Sequence, residues 1–452
     1  MQRDHLVRTL LGLGLAFTGV LPSCSKKEAP TPTPAVSETA APQKAQEKVA
    51  EKAPMPDPAK MPHRYKGPAP KKALVLALSQ FAGSTPKPAR AELLVPQAEG
   101  LWPAIGFEDT ESNVFHKALA LTPVGEAPML LTLGGMKAAV KGWRSIGGGF
   151  QPETYWTEAF GGKFDRMRDA ELGDIDGDGK TDIVVGTHDQ GVVAYLTRGK
   201  DGKWTPEKID RESNTFIHEI ELGDLNKDGV LEIYATPSEP NRLDAGEQSG
   251  RVVRYVPKKK EKRKVVADLG KRHAKEILVT DLDGDGRDEL YASVEALTKG
   301  ERDDVQIVEP VEIRRYDANT PPDKGKVVAR IQDRYCRFLT AGDVDGDGKK
   351  ELVAAAFRSG VWLIRPGKKA DEPWSIENIE TNSSGFEHAA LLTDLDDDGR
   401  DELYVAADDQ GELRQYVWKD GKPQRQTILK RDNPRETWTW NIMAVPGSLT
   451  GL

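Results

Sequence analysis

Five copies of one acidic nonapeptide recur along the chain and constrain its fold more than any other feature. Each copy places side-chain oxygens at positions 1, 3, 5 and 9, and a backbone carbonyl is expected from position 7. A glycine at position 6 permits the sharp turn that directs these oxygens inwards. Because Mg²⁺ demands near-ideal octahedral geometry and dehydrates reluctantly, the more adaptable Ca²⁺ suits such a loop better. The predicted calcium ligands are Asp174, Asp176, Asp178, Lys180 and Asp182; Asp224, Asn226, Asp228, Val230 and Glu232; Asp281, Asp283, Asp285, Arg287 and Glu289; Asp343, Asp345, Asp347, Lys349 and Glu351; and Asp394, Asp396, Asp398, Arg400 and Glu402.

Short apolar segments flank every loop, which excludes the helices and the position-12 glutamate of an EF-hand. The unit is strand, loop, strand, followed by a turn, a third strand such as 192–196 and a more polar fourth segment. The first aspartates of successive loops lie 50, 57, 62 and 51 residues apart. Four short strands in about 40–50 residues are typical of a β-propeller blade. We interpret 236–250 and 298–326 as loop insertions that lengthen two of the periods.

The pattern D-x-D-x-D-G-x-x-[DE]-[IL], followed by a hairpin, resembles the FG-GAP/VCBS repeat family. Such repeats are similar to the blades of the integrin α-subunit propeller, in which the calcium loop joins the first two strands of a blade. The resemblance extends from about residue 115 to the C-terminus. It implies an all-β propeller with about five structural Ca²⁺ ions, but it does not imply an activity, because this fold serves many functions.

Two degenerate regions complete the blade count. Residues 116–143 match a blade that has lost its calcium loop, and 437–445 resemble an isolated innermost strand. Segments 72–78 and 91–95 supply further strands for that last blade, so the two ends of the domain would join and leave no exposed edge. We therefore predict a seven-bladed propeller, five of whose blades bind calcium. Six blades is the alternative.

The N-terminal region is predicted to be a targeting signal followed by a disordered linker. Residues 1–23 combine a basic start with a short apolar core, which indicates a signal peptide. The sequence before Cys24 resembles a bacterial lipobox, which implies lipid attachment to Cys24; an ordinary secretory signal is the alternative. Residues 24–70 are rich in Pro, Ala, Lys and Glu and predict a disordered linker to a propeller at 71–452. We expect an extracytoplasmic protein anchored to a bacterial membrane, and Ser25 favours the outer membrane.

Charge and cysteine content narrow the class of partner. The formal net charge is −8, but five Ca²⁺ ions would add ten positive charges to loops that hold nineteen carboxylates at their ligand positions. The basic run at 258–264 is short and is interpreted as a solvated turn, so no nucleic-acid partner is expected. Apart from Cys24 the chain has only Cys336, which we predict to be a buried, inert thiol.

One further regularity appears when the blades are aligned on the first aspartate of each loop. Six residues before it, at the start of the inner strand, every blade carries a basic, imidazole or indole side chain. Seven blades would place these around one mouth of the channel, where they could bind an anionic ligand. The alternative is that strand starts tolerate exposed charge and that Asp169, Glu219 and Glu276 neutralise it. The candidate ligand-binding residues are Lys117, Arg168, His218, Lys275, Arg337, His388 and Trp440.

Two classes of function remain open from the sequence. The first is a calcium-stabilised, membrane-anchored binding or scaffold module of the cell envelope, adhesion-like, with a protein or glycan partner. The second is an extracytoplasmic polysaccharide lyase or other sugar-processing enzyme, in which His218 or His388 beside Arg337 would act as the base. No catalytic fingerprint is present, and no residue is assigned as catalytic.

Overall fold

A computed structural model describes residues 70–147, 149–162, 165–239, 247–300, 304–367 and 372–451. All of these residues belong to one compact unit, Gly67–Leu452. The predicted signal peptide, Cys24 and nearly all of the predicted linker lie outside the described residues. No helix in the described part of the chain is long and apolar enough to cross a membrane.

Thirty-one strands make up almost all of the regular structure in these ranges. Blade 1 has β1 (Lys72–Ala82), β2 (Thr85–Pro86), β3 (Ala89–Leu94) and β4 (Ala104–Asp109); blade 2 has β5 (Phe115–Leu121), β6 (Met129–Gly134), β7 (Ala139–Ile146) and β8 (Gly149–Thr157). Blade 3 has β9 (Met167–Gly173), β10 (Asp182–Thr187), β11 (Val192–Arg198) and β12 (Trp204–Arg211); blade 4 has β13 (Phe216–Gly223), β14 (Glu232–Ser238), β15 (Arg251–Val256) and β16 (Glu261–Asp268). Blade 5 has β17 (Ala274–Thr280), β18 (Glu289–Val294), the hairpin β19 (Leu297–Lys299) and β20 (Gln306–Glu309), β21 (Val311–Tyr316) and β22 (Lys326–Ile331). Blade 6 has β23 (Cys336–Gly342), β24 (Glu351–Ala356), β25 (Val361–Arg365) and β26 (Ser375–Glu380); blade 7 has β27 (Ala390–Thr393), β28 (Glu402–Ala407), β29 (Glu412–Lys419) and β30 (Lys422–Lys430). The last strand, β31 (Thr437–Pro446), joins blade 1, and short 3₁₀ turns lie at Ala98–Gly100, Pro257–Lys259, Asp408–Gln410 and Gly447–Thr450.

The strands form seven antiparallel sheets that close into a ring. Blades 2 to 7 each use four consecutive core strands, and blade 1 is completed by β31, which pairs with β1. Leu76 lies opposite Ile442 in that pair, and both are fully buried. The inner strand of each blade contacts the inner strand of the next, from β31 and β5 round to β27 and back. The predicted seven-bladed all-β propeller with closure between its two ends is confirmed, and the six-blade alternative is wrong.

The core lies between neighbouring blades rather than within one sheet sandwich. The second strands, such as β10 and β28, are buried at every position because each blade packs against a neighbour on both faces. The outermost strands, such as β12, are mostly exposed and polar. This explains why the sequence shows near-continuous apolar runs after each loop and weaker patterns at the fourth strand.

Blade 5 departs from the sequence prediction, whereas Cys336 agrees with it. The stretch 298–326 was expected to be a loop insertion, but it holds the hairpin β19–β20 and the third strand of blade 5, β21. Strand β21 was missed because charged residues occur along it. Glu312 and Arg314 form an ion pair there, with 2.6 Å between Oε2 and Nη2. Cys336, as expected, is buried, and burial raises the pKa of its thiol to about 12.

Candidate functional site

The five acidic loops lie at the ends of inner strands β9, β13, β17, β23 and β27 and lead into the second strand of each blade. In every loop the aspartate at position 1 accepts backbone hydrogen bonds from inside the turn; in the third loop, Gly284 and Gly286 donate to Asp281 at 2.7 and 2.8 Å. The glycines at position 6 all adopt a positive φ of 77–88°, a region that favours glycine. The turn geometry predicted from the sequence is therefore present.

Four of the loops bring carboxylate oxygens together closely enough for one metal ion. In the third and fifth loops all four carboxylates have oxygens within 4.8 Å of one another, and in the first and fourth loops three do. This all-oxygen donor set fits Ca²⁺. The grouped residues are Asp281, Asp283, Asp285 and Glu289; Asp394, Asp396, Asp398 and Glu402; Asp174, Asp176 and Asp182; and Asp343, Asp345 and Asp347.

The second loop differs from the other four, and the reason is its position 3. Asn226 stands there, and its amide Nδ2 donates to Glu232 Oε1 at 3.0 Å. Arg254 also pairs with that oxygen at 2.7 Å, and the Tyr234 hydroxyl donates to the other. Because an amide and a guanidinium already engage the carboxylate at position 9, this loop is the least suited of the five to hold a cation.

The carboxylates at position 9 are the buried members of each loop. Burial raises the pKa of Asp182 to about 6 and those of Glu289, Glu351 and Glu402 to about 7, although a backbone N–H from position 2 opposes the shift. Buried carboxylates that repel their neighbours in this way gain most from a divalent cation. The electrostatics of these loops therefore favour metal binding.

At the opposite end of the inner strands the structure reveals β-bulges. The pairing with the second strand skips one residue near the start of β5, β9, β17, β23 and β31, and two residues at the start of β13. A bulge turns the extra residue out of the regular alternation. The bulged residues include His116, Arg168, His218, Lys275, Arg337 and Trp440.

Two of the seven predicted positions are shifted by one residue. In blade 2 the bulge is at His116, so Lys117 belongs to the next layer. In blade 7 His388 has a φ of 55°, which turns its ring away. Its Nδ1 donates to the Ala356 carbonyl at 2.6 Å and its Nε2 accepts from the Ser383 hydroxyl at 2.7 Å. Glu387 instead meets the basic residues of other blades.

We call the seven side chains His116, Arg168, His218, Lys275, Arg337, Glu387 and Trp440 the mouth cluster. Glu387 of blade 7 forms an ion pair with Lys275 of blade 5 and lies 3.6 Å from the Arg168 guanidinium of blade 3. Contacts between blades that are not neighbours show that these side chains meet across the central axis. Burial alone would raise the pKa of Glu387, but Lys275, Arg168 and Arg337 hold it below its ordinary value.

Arg337 is the least compensated charge of the mouth cluster. It is 2% exposed, and neither its Nε nor its Nη2 has a hydrogen-bond partner among the described residues. Its guanidinium carbon lies 4.8 Å from the ring centroid of Tyr335, 5.2 Å from Phe357 and 5.3 Å from Phe386. Aromatic faces stabilise a cation but cannot accept its N–H groups as a carboxylate does. The guanidinium therefore retains unused donors.

A layer of acidic side chains lies one step further along the inner strands. Lys117 pairs with Asp169 at 2.9 Å and with Glu171, and these carboxylates outweigh burial and hold its pKa well above the ordinary value. Burial and mutual repulsion raise the pKa of Glu219 well above its usual range and that of Glu276 to about 7. This layer links neighbouring blades, because the backbone N–H of Ile220 in blade 4 donates to Asp169 of blade 3 at 2.7 Å. It does not pair with Arg337.

Histidines concentrate along one side of the same face, which the sequence did not reveal. His116, His188, His218 and His273 follow one another round blades 2 to 5, with centroids of successive rings 6.5, 5.9 and 5.2 Å apart. Burial lowers the pKa of His188 to about 4 and those of His116 and His218 well below the usual value. His188 and His273 lie before or after the strands that define the repeat, so no linear alignment brings them together.

The model of the FG-GAP-like repeat family matches residues 174–235, which span the first two acidic loops and the strands β10 to β13 between them. Five of the seven blades carry the same acidic loop, and the seven sheets close into a propeller. The chain is an FG-GAP-repeat β-propeller. No curated protein matches it.

Solved structures share the fold of this FG-GAP-repeat propeller at low sequence identity. A protein from Bacteroides uniformis, provisionally assigned as a 6-phosphogluconolactonase, is 13% identical with a TM-score of 0.53, and the match covers 83% of this chain and 100% of that one. A protein from Lactobacillus plantarum is 10% identical with a TM-score of 0.51, covering 83% of this chain and 99% of that one. At such identity the likeness concerns the propeller fold alone.

Proposed function

We propose that this FG-GAP-repeat propeller is a calcium-stabilised binding or scaffold module that takes an anionic ligand at the mouth cluster. The observation that carries the proposal is Arg337, a buried guanidinium whose Nε and Nη2 lack partners among the described residues. Leaving such a group unpaired costs several kcal/mol, roughly what a missing buried partner costs elsewhere. A ligand carboxylate would supply two acceptors in the planar geometry that a guanidinium prefers.

The charge balance of the mouth cluster supports the same ligand class. Arg168, Lys275 and Arg337 face a single internal carboxylate, Glu387, while burial keeps His116 and His218 neutral. The aromatic rings around Arg337 offer apolar walls beside the unused donors. A few placed polar groups among apolar walls are typical of small-molecule sites. We therefore favour an acidic glycan, whose carboxylate would meet Arg337 while its ring lies against the aromatic side chains.

The test compares acidic with neutral oligosaccharides by calorimetry in millimolar Ca²⁺. Oligomers of a uronic acid should bind and neutral oligomers of equal length should not. Arg337→Gln should weaken binding at least tenfold, the equivalent of about 1.4 kcal/mol. Arg330→Gln is the matched control, because Arg330 is an arginine with a 62% exposed side chain on an outer strand. Equal affinity of the wild type and Arg337→Gln for every ligand would refute the proposal.

We further propose that the module is held at the outside of a bacterial membrane, with the outer membrane favoured, by a lipid on Cys24. The support is the sequence before Cys24 and the Pro/Ala-rich stretch that separates it from the propeller. Fractionation of cells that express the whole chain tests this. The wild type should sediment with membranes, and Cys24→Ala should appear in the soluble extracytoplasmic fraction.

A polysaccharide lyase is the second candidate, and His218 is the observation that favours it. His218 belongs to the mouth cluster, is neutral, and has no hydrogen-bond partner on either ring nitrogen among the described residues. His388 cannot share this role in the present geometry, because both of its ring nitrogens are engaged away from the mouth cluster. The ultraviolet absorbance of an unsaturated uronate product would reveal lyase activity, and His218→Asn should abolish it.

A further inference from the structure

Unpartnered polar atoms concentrate at one place beside the mouth cluster. Both ring nitrogens of His218, both ring nitrogens of His273 and Oε1 of Glu295 have no hydrogen-bond partner among the described residues. The three residues are 4%, 2% and 3% exposed. Buried polar groups are nearly always satisfied, so five unsatisfied atoms on three neighbouring residues call for a specific explanation.

The three side chains are held close to one another by blades 4 and 5. The ring centroids of His218 and His273 lie 5.2 Å apart at an interplanar angle of 73°. Glu295 Oε2 lies 3.4 Å from Nδ1 of His273. The backbone fixes this arrangement. His273 lies just before β17 and Glu295 just after β18, and the amide N–H of Glu295 donates to the carbonyl of His273 at 2.8 Å.

Two imidazoles and one carboxylate form a donor set that late first-row metal ions prefer. At Zn–N distances of about 2.0–2.1 Å, two imidazoles on one tetrahedral ion have ring centroids roughly 5 Å apart. The separation of His218 and His273 meets this requirement. Nitrogen ligands distinguish the place from the all-oxygen calcium loops at the other end of the inner strands.

We propose that His218, His273 and Glu295 form a binding site for one divalent transition-metal ion of the Zn²⁺ class. Of the described residues, only four acidic loops already hold three carboxylate or imidazole ligand atoms within 4.8 Å of one another. The transition-metal site therefore closes when the metal binds, by rotation of side chains on a fixed backbone. His188 is a further neighbour of His218, with 5.9 Å between the two ring centroids, and its Nδ1 hydrogen-bonds to Asp189.

This site goes beyond the proposed anion-binding function and does not depend on it. Glu295 is not part of the mouth cluster, and a metal ion can be measured without any glycan present. The two proposals can consequently fail separately.

The experiment uses the whole purified chain, stripped with chelator and returned to millimolar Ca²⁺ so that the acidic loops are filled. Titration with Co²⁺ should give the visible absorption of a nitrogen-ligated tetrahedral ion at about one equivalent per chain, and Zn²⁺ should displace it. His218→Asn with His273→Asn should remove this signal. His388→Asn is the matched control, since it replaces a buried histidine outside the trio and should keep the signal.

Glu295→Gln provides a milder variant should the double variant fold poorly, and it should weaken Zn²⁺ binding by tenfold or more while leaving calcium-dependent unfolding unchanged. A wild type that binds no Co²⁺ or Zn²⁺ in the presence of Ca²⁺ would overturn the proposal and assign the unpartnered atoms to water. The same holds if the cobalt spectrum of Glu295→Gln and of the histidine variants equals that of the wild type.

Discussion

Glu387 and Lys275 form an ion pair across the channel axis, and each side chain is only 3% exposed. The two residues belong to blades 7 and 5, so the pair ties together blades that are not neighbours. Breaking a buried pair by removing one partner leaves an uncompensated charge, which costs about 3–5 kcal/mol. We expect Glu387→Gln to lower the free energy of unfolding by an amount in this range, measured by urea denaturation.

Lys275→Met combined with Glu387→Gln is the control for that prediction. Because the double variant buries no unpaired lysine, it should be more stable than Glu387→Gln alone. A double variant that loses the sum of the two single effects would show that the pair carries no coupling energy.

We expect each filled acidic loop to add its own calcium-dependent contribution to the stability of the fold. Filling one site at about 100 times its Kd stabilises the fold by about 2.7 kcal/mol. Asp285→Asn in the third loop should therefore lower the melting temperature in millimolar Ca²⁺ but not in chelator, where it relieves repulsion with Glu289. Asp323→Asn, at an exposed carboxylate outside the loops, should change neither.

The second loop offers an internal comparison. Because Arg254 and Asn226 already engage Glu232, Asp228→Asn should cost less calcium-dependent stability than Asp285→Asn. Thermal unfolding with and without chelator measures both. Equal losses in the two loops would contradict our interpretation of the second loop.

His388 should make the fold sensitive to acid. Its folded-state pKa of about 4 lies below the unfolded value of about 6.5, so the unfolded chain takes up the proton first as pH falls. Stability is therefore lost between pH 6.5 and 4, by up to about 3.4 kcal/mol. His388→Asn should flatten this slope, since asparagine tolerates the positive φ at this position. Urea unfolding across that pH range is the measurement, and parallel slopes for both proteins would refute the assignment.

Truncation of the chain after residue 436 should open the ring. Strand β1 would lose its partner β31, and an unpaired edge invites association between chains. We expect the truncated protein to form oligomers in size-exclusion chromatography. A synthetic 437–446 peptide should restore the monomer, whereas the same peptide with Ile442→Asp should not, because Ile442 is fully buried. A truncated chain that stays monomeric would contradict the role of β31.

The propeller could be predicted from the sequence because its pattern is local and repeated. Each acidic loop is flanked by short apolar segments that indicate a strand on either side. The register within an inner strand is different. A bulge adds one residue without any mark in the sequence, which is why alignment selected Lys117 where the structure places His116. A left-handed residue has the same effect at His388, so Glu387 takes the channel position. The surroundings that leave Nε and Nη2 of Arg337 without partners come from several blades, and no linear pattern records such a cluster.

The pairing of β31 with β1 also determines the order in which the blades can be completed during synthesis. Trp440 bonds Ser79, a residue 361 positions earlier, so blade 1 cannot be completed until the end of the chain has left the ribosome. At about 5–20 residues per second, β1 waits roughly 20 to 70 s for its partner. During this interval six blades can form while one strand edge stays unprotected. Until β31 pairs with it, the open edge of β1 is the part of the nascent chain most exposed to pairing with another chain.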